Sequence, residues 1–114
     1  MHELSIAMSI VEAAQEEAER RGLQVSAVHL RLGALAGVVK DALLFSYEMA
    51  CLDTPLQGSR LIVEEIPVAV FCPRCQARQT LSSVQSLACP ECGGPTNDIL
   101  QGKELEVFAL EVQE

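Results

Sequence analysis

Four of the five cysteines form two CxxC pairs, Cys72 with Cys75 and Cys89 with Cys92. A CxxC turn places two sulfur atoms along one edge of a tetrahedron, and Zn²⁺ prefers tetrahedral sets of thiolate ligands. The residues between the pairs, 76–88, allow a short hairpin. Because four cysteines leave no coordination position for water or substrate, the spacing predicts a structural zinc site rather than a catalytic one. A redox function of one CxxC pair is the alternative interpretation.

A second candidate metal site is the N-terminal sequence Met1-His2-Glu3. The Met1 amine, the His2 amide nitrogen and a His2 ring nitrogen can form two fused chelate rings on one ion. The ion must displace the amide proton, which favours Ni²⁺ or Cu²⁺ in a planar field of nitrogen ligands. The fourth position stays open for Glu3, its amide or another donor. Taken alone, this pattern does not distinguish a chelate from an ordinary solvated histidine.

Composition limits the classes of protein to which the chain can belong. The 114 residues suit one ordinary domain, and 49% hydrophobic with 21% charged residues is typical of a globular protein. The net charge of −8 repels phosphate backbones, so we expect no general binding to nucleic acids, although zinc ribbons often bind them.

The sequence also bears on location. It contains no apolar run of about 18 residues, so we expect no membrane span. The N-terminus lacks the positive region of a signal peptide. Five cysteines, of which four are paired as CxxC motifs, indicate a reducing compartment and a metal rather than a disulfide framework. We therefore expect a cytoplasmic protein.

Hydrophobic periodicity predicts two helices and three strands. A helical period covers residues 4–21 and 38–52, and strand alternation covers 24–32, 60–66 and 104–112. The predicted apolar faces of the helices are Leu4, Ala7, Met8, Val11, Ala14 and Ala18 in the first, and Val39, Ala42, Leu43, Tyr47 and Ala50 in the second.

These elements predict an α/β fold. Each helix has one apolar stripe to bury, so both helices should cover one face of a small three-stranded sheet. A zinc-ribbon-like domain with four cysteines, residues 69–102, is expected as an insertion in an α/β domain formed by residues 1–68 and 103–114. The sheet leaves edges that must be covered or paired, so we expect a monomer or a weak homodimer.

Three features together resemble the HypA family of nickel metallochaperones, which mature [NiFe]-hydrogenase and sometimes urease. They are Met1-His2-Glu3 at the start of an amphipathic helix, the dipeptide Leu32-Gly33, and the pattern CPxC…CPxCG. The resemblance extends over about residues 1–112 in order and spacing.

The resemblance implies a nickel site formed by Met1, His2 and Glu3, and a structural zinc ion on the four paired cysteines. It implies two partners, a nickel-binding GTPase of the same pathway and the precursor of the hydrogenase large subunit, and no enzymatic activity. Some relatives use a further carboxylate, which falls here at Val39, with Asp41 close behind. A fifth ligand is therefore not indicated.

The chain is thus predicted to deliver Ni²⁺ for maturation of hydrogenase. The alternatives are a zinc-ribbon interaction module that binds no nickel, and a thiol-redox protein. His29 is expected to be a solvent-side residue of a strand, and Cys51 to pack as a small hydrophobic residue. An acidic cluster is expected to form a solvated helix face or a docking surface: Glu12, Glu16, Glu17 and Glu19.

Overall fold

A computed structural model describes residues 2–113, which form two helices and two small sheets. The α/β class predicted from the sequence is confirmed. The elements in chain order are α1 (Glu3–Arg21), β1 (Gln24–Gly33), α2 (Lys40–Cys51), β2 (Arg60–Ile66), β3 (Ala69–Cys72), β4 (Ala77–Thr80), β5 (Asp98–Gln101) and β6 (Leu105–Gln113).

The two sheets each have three strands, in the orders β2-β1-β6 and β4-β3-β5. The described chain divides into two compact units. The first contains the chain up to Leu30, Gly37–Glu64 and the chain from Glu106 onward, and the second contains Arg31–Ala36 and Glu65–Leu105. A compact unit need not fold independently, so the domain boundaries predicted from the sequence stay predictions.

Helix α1 buries a narrower stripe than its sequence predicts. The prediction placed Leu4 and Met8 on the apolar face, but they are 49% and 58% exposed, and this part of it is wrong. Helix α1 packs on α2, and Leu4 and Met8 lie outside the stripe of α1 that is buried. The buried residues are Ala7, Ile10, Val11, Ala14 and Ala18.

Helix α2 buries Leu43, Tyr47 and Cys51, which recur every four residues. Three other positions of the predicted stripe are not buried: Val39 and Ala42 are exposed and Ala50 is intermediate. Val39 precedes the first helical turn in an extended conformation, and for this reason its side chain points away from the stripe.

Strand β1 lies in the centre of the first sheet and supplies much of its core. Val28, Leu30 and Leu32 are buried, and His29 is intermediate, in agreement with the predicted alternation. By contrast, the edge strand β6 stays largely exposed, and Phe108 and Val112 retain 40% and 41% of their surface.

The second unit contains a sheet that the sequence did not reveal. Strands β3 and β4 form an antiparallel hairpin in which Ala69 pairs with Thr80 and Cys72 with Ala77, and β5 pairs with the other edge of β3. Strands of four residues are too short to give a clear alternation. The small apolar cluster of this unit consists of Val68, Val70 and Leu81, with Leu35, Leu87 and Ile99 packed against it.

Gly33 lies at a close approach of two backbone segments in the second unit. Its N–H donates to the Glu104 carbonyl oxygen at 2.7 Å. A Cβ atom at this position would lie 2.2 Å from the carbonyl oxygen of Gly102, which is an impossible contact. Only glycine therefore fits here.

Among residues 2–113, neither helix is long and apolar enough to cross a membrane.

The corrected stripe of α1 makes a stability prediction. We expect Ile10→Ala to lower the free energy of unfolding by about 2–4 kcal/mol, because it leaves a cavity against the core. Met8→Ala should change it by less than about 0.5 kcal/mol, since that side chain is largely solvated. Urea denaturation of both variants tests this, and an equal loss in the two would mean that the stripe is placed wrongly.

Candidate metal centres

The first cysteine pair lies in the turn between β3 and β4. Cys72 is the last residue of β3, and the Cys75 N–H donates to its Sγ at 3.4 Å. Gln76 then adopts a left-handed conformation, with φ of 55°, and its side-chain amide donates to the Pro73 carbonyl oxygen at 2.8 Å. This reversal returns the chain into β4 and directs both sulfur atoms to the same side of the turn.

The second pair forms a similar turn closed by two glycines. Gly93 has φ of 71°, and its N–H donates to the Cys89 carbonyl oxygen at 2.8 Å. The Gly94 N–H donates to the Cys92 Sγ at 3.4 Å. A Cβ atom on Gly94 would lie 2.9 Å from the Arg74 Cδ and 3.2 Å from the Cys92 Sγ. A side chain at this position would crowd Arg74 and the sulfur to which the backbone donates.

The turns bring the four sulfur atoms together, all within 4.8 Å of one another. The Sγ atoms of Cys72 and Cys92 are 3.6 Å apart, and those of Cys75 and Cys89 are 3.9 Å apart. A tetrahedral zinc ion with Zn–S bonds of about 2.3 Å would separate its sulfur ligands by about 3.8 Å. A disulfide needs about 2.05 Å. The cluster therefore fits a zinc ion and not a pair of disulfides.

The pKa values of the clustered cysteines explain why the site suits a cation. The Cys75 backbone N–H lowers the pKa of Cys72 to about 7. The neighbouring sulfur of Cys92 raises the pKa of Cys75 to about 12. One thiolate is thus stabilised by backbone dipoles, whereas further ionisation is opposed by the other sulfur atoms. A divalent cation at the centre would remove this repulsion and displace the remaining protons.

The proposed N-terminal chelate is described only in part, because Met1 lies outside the described residues. His2 precedes α1 in an extended conformation, and its carbonyl oxygen accepts the Ile6 N–H at 3.2 Å. Its side chain makes no capping hydrogen bond within the described chain. Amide N–H groups at the start of a helix have no intrahelical acceptor. The imidazole and the first amides are thus not committed to the helix.

Glu3, the first residue of α1, is tied to the start of α2. Its Oε2 accepts the Val39 backbone N–H at 3.1 Å, and this hydrogen bond lowers the pKa of the Glu3 carboxyl. The sequence pointed to position 39 only because some relatives have a carboxylate there. A backbone donor leaves no signal in the sequence, so this contact could not be found from it.

The structure places the other candidate ligands, His29, Asp41 and Cys51, outside the cysteine cluster. His29 places its Nε2 2.7 Å from a Glu111 carboxylate oxygen and contacts the ring of Phe108 edge-on, so it is only partly solvated. Asp41 lies in the first turn of α2. Cys51 is 2% exposed, as predicted for a small hydrophobic residue. Within residues 2–113, the four paired cysteines form the only cluster of three or more residues that could hold a metal ion.

The acidic cluster on α1 is a largely solvated helix face, as expected. Glu12, Glu16 and Glu19 are exposed, and Glu17 is partly covered by ion pairs with Arg20 and Arg21 near the end of the helix.

Comparisons with known proteins agree on one family. Residues 1–112 match the family model described as "Hydrogenase/urease nickel incorporation, metallochaperone, hypA". The hydrogenase maturation factor HypA of Chloroflexus aurantiacus is 54% identical over 112 residues, which are 97% of this chain and 98% of the relative. That of Roseiflexus sp. RS-1 is 48% identical over 115 residues, covering 100% of this chain and 94% of the relative.

Two solved structures share the fold at low identity. The solution structure of the Ni metallochaperone HypA from Helicobacter pylori is 20% identical, with a TM-score of 0.66, and covers 98% of this chain and 97% of that one. A second HypA solution structure is also 20% identical, with a TM-score of 0.72 and coverage of 99% and 97%.

The cysteine cluster predicts a specific loss of zinc. We expect the purified protein to retain about one zinc ion per chain, as a closed site of four thiolates would. Cys89→Ala should abolish zinc retention, and Cys51→Ala is the matched control, because both cysteines are buried but only Cys89 belongs to the cluster. Metal analysis measures the outcome, and full zinc occupancy in Cys89→Ala would refute the assignment.

Acid should release the zinc ion, because a thiolate must lose its proton to bind and protons therefore compete with the metal. Retention should be complete at neutral pH and fall as the pH is lowered. Zinc release followed with a chromogenic chelator across a pH series checks the sign. A site that lost zinc as the pH rose from neutrality would contradict a thiolate ligand set.

Proposed function

Because the chain belongs to the HypA family and is a nickel metallochaperone for hydrogenase maturation, we propose that it holds Ni²⁺ at its N-terminus and transfers it to the maturation pathway. The ligands in this proposal are the Met1 amine, His2 and Glu3, where Glu3 can donate through its backbone amide or its carboxylate. The observation that carries this assignment is the position of His2, directly before α1, with an imidazole that makes no capping hydrogen bond in the described chain. The chelate would thus form without unfolding the helix.

The zinc ion has a different role in this proposal. Cys72, Cys75, Cys89 and Cys92 would fill all four positions around it and leave none for an incoming ligand. Zinc here would hold the turns of the second unit in place. The N-terminal site would have a small set of donors and would hold the ion without enclosing it, which suits an ion that must be passed on.

A protein that transfers a metal ion must interact with other proteins. Hydrogenase maturation implies interaction with other maturation proteins, and we propose as partners the nickel-binding GTPase of the pathway and the hydrogenase large-subunit precursor. We further propose that the protein works in the cytoplasm, does not bind nucleic acid, and acts by binding and releasing metal rather than by catalysis. The net charge of −8 supports the absence of nucleic-acid binding.

The two alternative functions have less support. A zinc-ribbon interaction module would account for the cysteine cluster but not for Met1-His2-Glu3. A thiol-redox protein needs a reactive pair of cysteines, whereas a zinc ion would engage all four sulfur atoms. Membership of the HypA family favours neither alternative.

The nickel site is tested by replacing His2. We expect His2→Ala to abolish specific Ni²⁺ binding while zinc content and fold persist, because the imidazole anchors the chelate and residue 2 precedes the helix. The loss should exceed the roughly 10- to 100-fold effect of removing a group that only supports a ligand. Calorimetric titration of untagged protein measures it, since a tag would remove the amine.

His29→Ala serves as the control, because it removes the other histidine, which is paired with Glu111. It should leave nickel affinity unchanged. Acetylation of the Met1 amine should weaken binding as His2→Ala does. Equal nickel affinity in wild type and His2→Ala would eliminate the proposed N-terminal site.

A further inference from the structure

The Glu3 side chain connects the N-terminal ends of the two helices of the first unit. Its Oε2 accepts the backbone N–H of Val39, a residue 36 positions away, at 3.1 Å. Glu3 is the first residue of α1, and Val39 directly precedes α2. The bond therefore fixes the start of α1, beside the proposed chelate, to the start of α2.

Val39 takes part only through its backbone. Its carbonyl oxygen accepts the Leu43 N–H at 2.9 Å and so starts α2, while its N–H donates to Glu3. Its side chain is 62% exposed. The Val39 side chain makes no capping hydrogen bond to α2. The carboxylate of Glu3 thus also supplies the negative charge that the N-terminus of a helix favours.

From this contact we infer that Glu3 is a positioning residue for the nickel site: its side chain holds the N-terminal chelate against the start of α2 instead of coordinating the ion. This inference rests on the proposed function. Chain termini are poorly ordered unless they are tied to the fold. A donor set that is already ordered loses less conformational freedom when it binds an ion. Coordination by the Glu3 carboxylate is the competing role.

Substitutions at both ends of the hydrogen bond separate these roles. Val39→Pro removes the N–H, and the native φ of −81° is close to the value that proline imposes. Val39→Ala is the matched control, because it shortens the same exposed side chain and keeps the N–H. Glu3→Gln keeps a neutral acceptor for the bond but removes the anionic ligand, and Glu3→Ala removes both.

Nickel titration of the untagged, zinc-loaded protein gives the expected pattern. Glu3→Ala and Val39→Pro should each weaken nickel binding by about 10-fold, the lower end of the range for groups that support a ligand. Val39→Ala and Glu3→Gln should stay within about 2-fold of wild type, because both keep the hydrogen bond between the two residues. The double variant of Glu3→Ala and Val39→Pro should be no weaker than either single variant, because both remove one bond.

Four results would overturn the inference or its premise. If Glu3→Gln loses as much affinity as His2→Ala, the carboxylate coordinates nickel. If Val39→Pro binds nickel as Val39→Ala does, the bond does not position the site. If nickel affinity depends on His2 but not on Glu3 or Val39, the positioning role alone is refuted. If wild type and His2→Ala have equal nickel affinity, the nickel site and the positioning role are both refuted. If Val39→Pro folds poorly, the comparison of Glu3→Ala with Glu3→Gln still tests whether Glu3 positions the site.

Discussion

Mutual repulsion of four sulfur atoms is the constraint on which the second unit depends. They lie within 4.8 Å of one another, in turns whose backbone N–H groups point at sulfur. Such a cluster is stable as thiolates only around a cation. The apolar cluster of this unit has only three buried members, Val68, Val70 and Leu81, which is too little to order a sheet of four-residue strands. A zinc ion on the four sulfur atoms would add stability that this small core does not provide.

The sequence predicted the parts of the fold that depend on strong, long patterns. The periodicity of α1 and α2 and the alternation of β1 cover many residues, and for this reason their existence and order could be predicted. The side of α1 that is buried could not, because Leu4 and Met8 fit a helical stripe as well as Ile10 does. That choice depends on how α1 packs on α2, which is a property of the pair of helices.

The candidate sites, too, could be predicted only in part from the sequence. The two CxxC motifs gave the ligands of the cysteine cluster, because ligand type and spacing are written in the sequence. The turns depend on left-handed backbone conformations at Gly93 and Gln76 and on the close approach of Gly94 to sulfur. A glycine in the sequence suggests such a conformation, but a glutamine does not, so the reversal at Gln76 could not be predicted. The bond from Val39 to Glu3 uses a backbone N–H, which every residue except proline carries. No sequence pattern could have predicted it.

The chemistry of the two sites explains how one short chain could handle two similar ions. The cysteine cluster offers four soft ligands held by backbone bonds, and an ion bound during folding would be enclosed by the turns that it stabilises. The proposed N-terminal site would offer nitrogen donors, one of which must lose an amide proton, so it would discriminate against Zn²⁺ through geometry and not through strength alone. An ion bound there would be held by a single short segment at the start of α1. Its release then requires displacement of a few donors by a partner, and the rest of the fold stays intact.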